Sequence, residues 1–154
     1  MAGARVVATT SSEDKAETLR NLGVEHVINY RNYPKWGETA RKLTTSGFDH
    51  IIEVGGSGTL QQAIRAIARD GIISLIGFMA SGETPDIMQP LYGSFIVRGI
   101  AIGSRTQFEE MNRAIEANKV KPFVDKVFNF EDAREAYKHL ESQTFTGKVV
   151  IEIQ

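Results

Sequence analysis

The sequence predicts an α/β fold, a doubly wound parallel sheet with helices on both faces. Three observations point there. Short β-branched runs alternate with stretches of helical spacing along the whole chain. The runs Ile51-Ile52-Glu53-Val54 and Ile72-Ile73-Ser74-Leu75-Ile76 are nearly continuous in apolar character, as strands buried on both faces are. Glycines then stand at their carboxyl ends, Gly55-Gly56 and Gly77, where open α/β sheets take their ligands.

The elements follow in order. Arg5-Val6-Val7-Ala8-Thr9-Thr10 is a β-branched strand, and Ser11-Ser12 with Glu13-Asp14 opens a helix with a serine cap and first-turn acids. Ala16, Leu19 and Leu22 give that helix an apolar face, and Gly23 ends it. A second strand covers 24–29, Tyr30-Arg31-Asn32-Tyr33 is a polar loop, and Pro34 is expected at the first position of a helix carrying Trp36, Ala40 and Leu43. Gly47 breaks it ahead of a third strand over 48–54. Leu60, Ala63, Ile64 and Ile67 mark the next helix, expected to stop near Asp70-Gly71, before the strand 72–76. The loop through Gly82, Pro85 and Pro90 is too long for a simple turn. Phe95-Ile96-Val97-Arg98-Gly99-Ile100-Ala101-Ile102 is a fifth strand. Thr106-Gln107-Phe108-Glu109 reads as a capping box whose helix turns Phe108, Met111 and Ile115 inward. A strand over 124–130, a helix with Ala133, Ala136, Tyr137 and Leu140, and a strand over 148–153 complete the pattern.

Composition bounds the function. The 154 residues amount to one domain, with 42% hydrophobic and 24% charged residues, close to globular averages. A net charge of −1 with interspersed signs gives no nucleic-acid footprint. The absence of cysteine excludes disulfides, thiolate zinc sites and cysteine nucleophiles from these residues and suits a reducing cytoplasm. No apolar run approaches a membrane span, and Met1-Ala2-Gly3-Ala4-Arg5 lacks the apolar core of a signal peptide, so a cytoplasmic location without membrane attachment is expected. His26, His50 and His139 lie on different elements without metal-ligand spacing, and Gly56-Ser57-Gly58 lacks the flanks of a hydrolase elbow.

Three stretches carry a resemblance across essentially the whole chain. Gly3-Ala4-Arg5-Val6-Val7-Ala8-Thr9-Thr10-Ser11-Ser12 resembles the second strand of the cofactor domain in medium-chain, zinc-type alcohol dehydrogenases and quinone oxidoreductases. Gly23-Val24-Glu25-His26-Val27-Ile28-Asn29-Tyr30 resembles the segment that follows it, and Phe145-Thr146-Gly147-Lys148-Val149-Val150-Ile151 the terminal strand. The resemblance implies a Rossmann-like domain, incomplete at its first βα unit, from an NAD(P)-dependent oxidoreductase whose catalytic domain is also missing. Gly55-Gly56-Ser57-Gly58 does not replace the absent pyrophosphate turn, since Gln61 and Ala63 stand where a third glycine would be sought.

A dinucleotide domain selects its cofactor at the end of the second strand, where an acid binds the ribose 2′-hydroxyl and hydroxyl or cationic groups accept a 2′-phosphate. Thr9, Thr10, Ser11 and Ser12 occupy that place, with Lys15 and Arg31 nearby, which favours NADP(H). The resemblance singles out Ser11, Lys15 and Tyr30 as contacts; their ordinary roles would be a cap serine, a solvated lysine and a surface tyrosine. Val54, Gly55 and Gly56 are expected to line the cofactor from the third strand, and Gly77 and Phe78 from the fourth, or else to be plain turn residues. Gly103, Ser104 and Arg105 resemble the segment beside the nicotinamide. No catalytic or metal-binding residue is assigned. The missing first strand would be central, so the strand at 5–10 is expected to close onto the third strand, or another chain to fill the gap. Related enzymes pair the edge formed by residues 95–102, which implies a homodimer, and residues 124–130 with 148–153 are expected to form a hairpin-like edge. Competing readings are a non-catalytic dimerisation or binding module that has lost its dinucleotide, and a methyltransferase-like α/β domain.

Overall fold

The computed structural model describes residues 3–153. One compact unit ends at Ile102 and a second begins at Gly103. The first runs β1 (Val7–Thr10), α1 (Glu13–Asn21), β2 (His26–Asn29), α2 (Trp36–Arg41), β3 (Phe48–Glu53), α3 (Ser57–Ala66), β4 (Ile67–Leu75), α4 (Gln89–Gly93) and β5 (Ile96–Gly99). The second holds α5 (Arg105–Ala117), β6 (Val124–Asn129), α6 (Ala133–Ser142) and β7 (Lys148–Glu152). Every ladder is parallel, and the strands join as β1-β2, β3-β4-β5 and β6-β7.

The expected closure of β1 onto β3 does not occur: among the described residues β1 pairs only with β2, and β3 only with β4. Helix packing explains why. Ile28, Ala40 and Ala66, from β2, α2 and α3, form one buried cluster with Val7, Trp36, Phe48 and Ile51 against it. At Gly37 the two helices meet closely, since a Cβ there would lie 2.1 Å from the Gln62 carbonyl oxygen. The Gly37 amide donates to Gln62 Oε1 at 3.0 Å. The helices therefore fix the spacing of the two sheets beneath an open trough. A second cluster, Ala63, Ile67, Ile73 and Phe95, seats α3 on the β3-β4-β5 sheet.

Several boundaries differ from the sequence reading. Helix α3 stops at Ala66, and Ile67 and Ala68 are buried at the start of β4. Asp70 (φ 59°) takes the left-handed conformation that aspartate tolerates, and the register jumps from Phe48↔Ile67 to His50↔Ile72 to absorb the extra residues. Pro34 lies outside α2, whose cap position is Lys35. The 76–88 loop leads into α4, a helix missing from the sequence reading, with Pro90 in its first turn. The α5 capping box is formed by Ser104 and Gln107, so the helix starts earlier than Thr106 implies. No α5 residue is buried, and Phe108 and Met111 remain more than half or half exposed (58% and 50%), not turned inward. The predicted hairpin is instead a parallel pair, because α6 carries the chain back between β6 and β7 with Ala136 buried. In that unit His139 Nε2 lies 2.8 Å from Asp125 Oδ2, and Asp125 Oδ1 accepts from the Thr146 amide.

At the entrance to β1, Arg5 forms a two-pronged ion pair with Glu25, at 2.8 and 2.6 Å. The hydrogen bond from Arg5 holds the Glu25 carboxyl below the ordinary glutamate range. A lowered folded-state value stabilises the fold above the unfolded pKa, and the gain disappears as pH falls through the folded value. Carboxyl-detected NMR titration should therefore find Glu25 among the lowest glutamates, and Arg5→Met should return it to the ordinary range. Because both groups are exposed, the stability change should be small.

Candidate functional site

The glycine turn after β3 is organised by one buried carboxylate. Glu53 is 5% exposed at the end of a strand whose apolar neighbours give it no water. Its Oε1 accepts from the Gly55 amide at 3.1 Å and its Oε2 from the Gly56 amide at 2.7 Å. The Thr59 hydroxyl donates a short bond to the same carboxylate. Its backbone carbonyl accepts from Ile76 and Gly77. One residue thus ties together the end of β3, the first turn of α3 and the exit of β4. Three donors to a charged acceptor are what allow that charge to be buried.

The loop after β4 folds onto this turn. Gly58 donates to the Ala80 carbonyl at 3.0 Å, and Ala80 donates to the Gly55 carbonyl at 2.7 Å. Gly56 has φ 97° and ψ −147°, a conformation essentially restricted to glycine. A Cβ there would meet Phe78 Cα at 2.7 Å, and one at Gly77 would meet the Val54 carbonyl oxygen at 1.7 Å. The glycines therefore permit backbone to pack on backbone. The amides of Gly55, Gly56 and Gly58 are already committed inside the protein, which leaves this turn a poor cradle for a pyrophosphate. Val54 and Phe78, by contrast, are exposed (59% and 90%) at the same strand ends.

A second corner lies where β1 and β2 end. The register pairs Thr10 with Asn29, and the Tyr30 amide donates to the Thr10 carbonyl at 2.9 Å. The α1 cap is Ser12, whose hydroxyl accepts from the Lys15 amide, so the helix does not use Ser11 as its cap. Thr10 is buried, Ser11 and Lys15 are half-buried, and Tyr30 is exposed. Ser11, Lys15 and Tyr30 thus sit around one strand-end corner, and the acids Glu13 and Asp14 enter only within the helix. Hydroxyl, ammonium and phenol groups together suit a phosphomonoester dianion.

Gly103, Ser104 and Arg105 belong to the second unit. Ser104 is committed to the α5 cap, accepting from the Gln107 amide and donating its own amide to Gln107 Oε1. Arg105 is 91% exposed at its side chain and pairs with Glu109. The reading of residues alone missed the structural part of Glu53. Its signal was an acid closing an apolar run immediately before a double glycine, with Thr59 one helical turn further on. Among the described residues no three His, Cys, Asp or Glu side chains converge on a metal position, and no helix is long and apolar enough to cross a membrane.

Comparison with known proteins agrees with this architecture. Residues 1–117 match the family model described as zinc-binding dehydrogenase. A zinc-type alcohol dehydrogenase-like protein of Schizosaccharomyces pombe is 46% identical over 99% of this chain and 46% of its own length. A Leishmania amazonensis protein named "Probable quinone oxidoreductase" is 32% identical over 99% of this chain and 50% of its own. A crystal structure of an NAD-dependent alcohol dehydrogenase superposes with a TM-score of 0.86 at 32% identity, covering 99% of this chain and 45% of that one. The chain spans about half the length of the relatives it matches.

The Glu53 anchor makes a direct prediction. Glu53→Ala should lower the unfolding free energy by about 3 kcal/mol, since it removes bonds to a charged acceptor and leaves buried donors unpaired. Gly56→Ala should cost about 2–4 kcal/mol through its backbone conformation and the contact with Phe78. Urea denaturation would measure both, and losses below about 1 kcal/mol would remove the anchor from the account.

Proposed function

The chain belongs to the zinc-binding dehydrogenase family, and from that premise we propose that it is the cofactor-holding portion of an NADPH-preferring oxidoreductase. The parent reaction would move hydride between the nicotinamide and an alcohol, carbonyl or quinone-like enone. When bound, the nicotinamide supplies the hydride, and the protein supplies position. The reading is carried by the corner formed by Thr10, Ser11, Lys15 and Tyr30, which offers hydroxyls and a cation where an NAD-selective domain offers an acid. The NAD-dependent neighbour makes this preference a discriminating proposal.

The residues present do not fit a resident zinc. The chain has no cysteine, and no cluster of three ligating side chains occurs among the described residues. No step is assigned to a metal here, and no side chain at either corner is placed as a proton donor. We therefore propose that residues 1–154 bind dinucleotide without turnover. A cytoplasmic setting, in keeping with the lack of cysteine, belongs to the same proposal.

One observation favours a second reading, a binding module that has lost its dinucleotide: the Gly55, Gly56 and Gly58 amides are all internally bonded. Titration of NADPH, followed by nicotinamide fluorescence and energy transfer from Trp36, separates the two. The leading reading expects saturable binding, with NADH and the Lys15→Ala variant each weaker by about tenfold to a hundredfold, the worth of one charge-assisted contact. No binding by folded protein would favour the second reading.

The dimer proposal rests on β5. Among the described residues it pairs only with β4 and leaves its other edge open, and Ile96 in the strand and Ile100 and Ile102 just past its end are exposed (49%, 39% and 90%). We propose that a second copy covers this edge. Sedimentation at tens of micromolar should then give a dimer, and Ile96→Asp should shift it toward monomer. A monomeric parent protein would exclude the interface.

A further inference from the structure

Two arginines line a cavity of the first unit at the amino ends of β4 and β5, far along those strands from the glycine turns. Its volume is about 380 Å3. The polar side comes from Arg41 at the end of α2, Arg69 in β4, and Gln89 and Tyr92 in α4. The apolar side comes from Ile64, Ile67 and Phe95, and no acid is among the lining residues. Arg41 Nη1 is buried and has no hydrogen-bond partner among the described residues. It packs over Gly47, where a Cβ would overlap it, so shape and not a counter-charge holds the guanidinium in place. Arg69 Nη2 donates to Ser94 Oγ at 3.2 Å, which ties it to the end of α4. Gln61 and Gln89 exchange amide hydrogen bonds at 3.3 and 3.2 Å, and these hold α4 on α3. Among the described residues neither arginine is in an ion pair, and the nearby acid Glu38 is taken by Arg65 at 2.9 Å.

We propose that this cavity binds a small organic carboxylate, with Arg41 and Arg69 meeting the carboxylate and Ile64, Ile67 and Phe95 meeting its hydrocarbon body. Three features select that class. Two guanidinium groups on one cavity, with no acid beside them, leave positive charge that the chain itself does not offset, and an anionic acceptor offsets it. The planar fork of a guanidinium matches the two oxygens of a carboxylate. The apolar wall rewards a ligand that carries carbon, which an inorganic anion does not. The volume lies at the small end of the range of about 300–1,000 Å3 that ligand pockets occupy, so the body is a single ring or a short chain. Both corners discussed for the dinucleotide lie at the carboxyl ends of strands, so this site does not rest on the cofactor proposal.

The test titrates the whole chain with phenylacetate and with hexanoate at constant ionic strength. Phenylacetamide serves as the neutral isostere, and inorganic phosphate as the anion without a hydrocarbon body. Binding is read by NMR at the Nε–H groups of Arg41 and Arg69 and the methyl groups of Ile64 and Ile67. Saturable shifts at these four residues are expected with a carboxylate, with phenylacetamide and phosphate each weaker by about tenfold or more, the worth of a charge-assisted contact or of the buried ring. Arg69 is exposed, so Arg69→Gln should keep the rest of the spectrum and weaken carboxylate binding by about tenfold. Arg41→Lys keeps the charge, loses the fork and should weaken it as well. Four results would each overturn the proposal: no saturable shift with either carboxylate, phenylacetamide or phosphate binding as tightly as phenylacetate, unchanged binding by Arg69→Gln, or shifts confined to Ser11, Lys15 and Tyr30. NADPH added to the carboxylate-saturated protein reads the cofactor proposal separately, so either can fail without the other.

Discussion

The first unit depends most on the burial of one charge. Glu53 sits where β3 ends, and its carboxylate holds the Gly55 and Gly56 amides and the Thr59 hydroxyl. Its carbonyl holds the amides that end β4. Without those donors the buried carboxyl oxygens would be left without hydrogen-bond partners, which is costly. With them, the charge sets the angle at which α3 leaves β3 and the place where the next loop lies down. Gly56 and Gly77 follow from it, since strand ends drawn this close leave no room for a Cβ.

That arrangement also divides the strand ends by chemistry. The turn after β3 has committed its amides within the protein, whereas the ends of β1 and β2 bring Ser11, Lys15 and Tyr30 to one register position. On the proposed reading, a phosphate would be met at the β1 corner and not at the glycine turn. The two corners belong to different sheets, held apart by the α2–α3 contact at Gly37. The trough follows from the same contact.

Much of this was legible in the residues. The order of strands and helices, the serine cap of α1, the end of that helix at Gly23 and the parallel class all follow from periodicity and capping chemistry. The errors have physical causes. Ile67 continues the helical spacing of Leu60, Ala63 and Ile64, so periodicity could not show that pairing with Phe48 and burial with Ile73 and Phe95 would place it in a strand. Asp70-Gly71 resembles a helix stop but serves a register irregularity within β4. The α5 residues Phe108 and Met111 have the spacing of a buried face without being buried. Strand pairing across the chain is non-local: the resemblance located a missing strand between residues 5–10 and the third strand, but nothing in the residues shows that β1 and β3 stay apart and do not close onto each other. For the site, the residue types at Ser11, Lys15 and Tyr30 were readable, but their shared corner required the Thr10↔Asn29 register. Glu53 looked like an isolated carboxylate until its three donors were placed around it.

The central claim is that the β1 corner recognises a 2′-phosphate. Its most direct test is amide-resolved NMR with adenosine 2′,5′-bisphosphate and, separately, adenosine 5′-monophosphate, ligands that differ only in that group. The account predicts that the bisphosphate shifts the amides of Ser11, Ser12, Lys15 and Tyr30 in a saturable manner, and that the monophosphate leaves them nearly unmoved at the same concentration. Equal responses to the two ligands, or shifts confined to the Gly55–Gly58 turn, would contradict it.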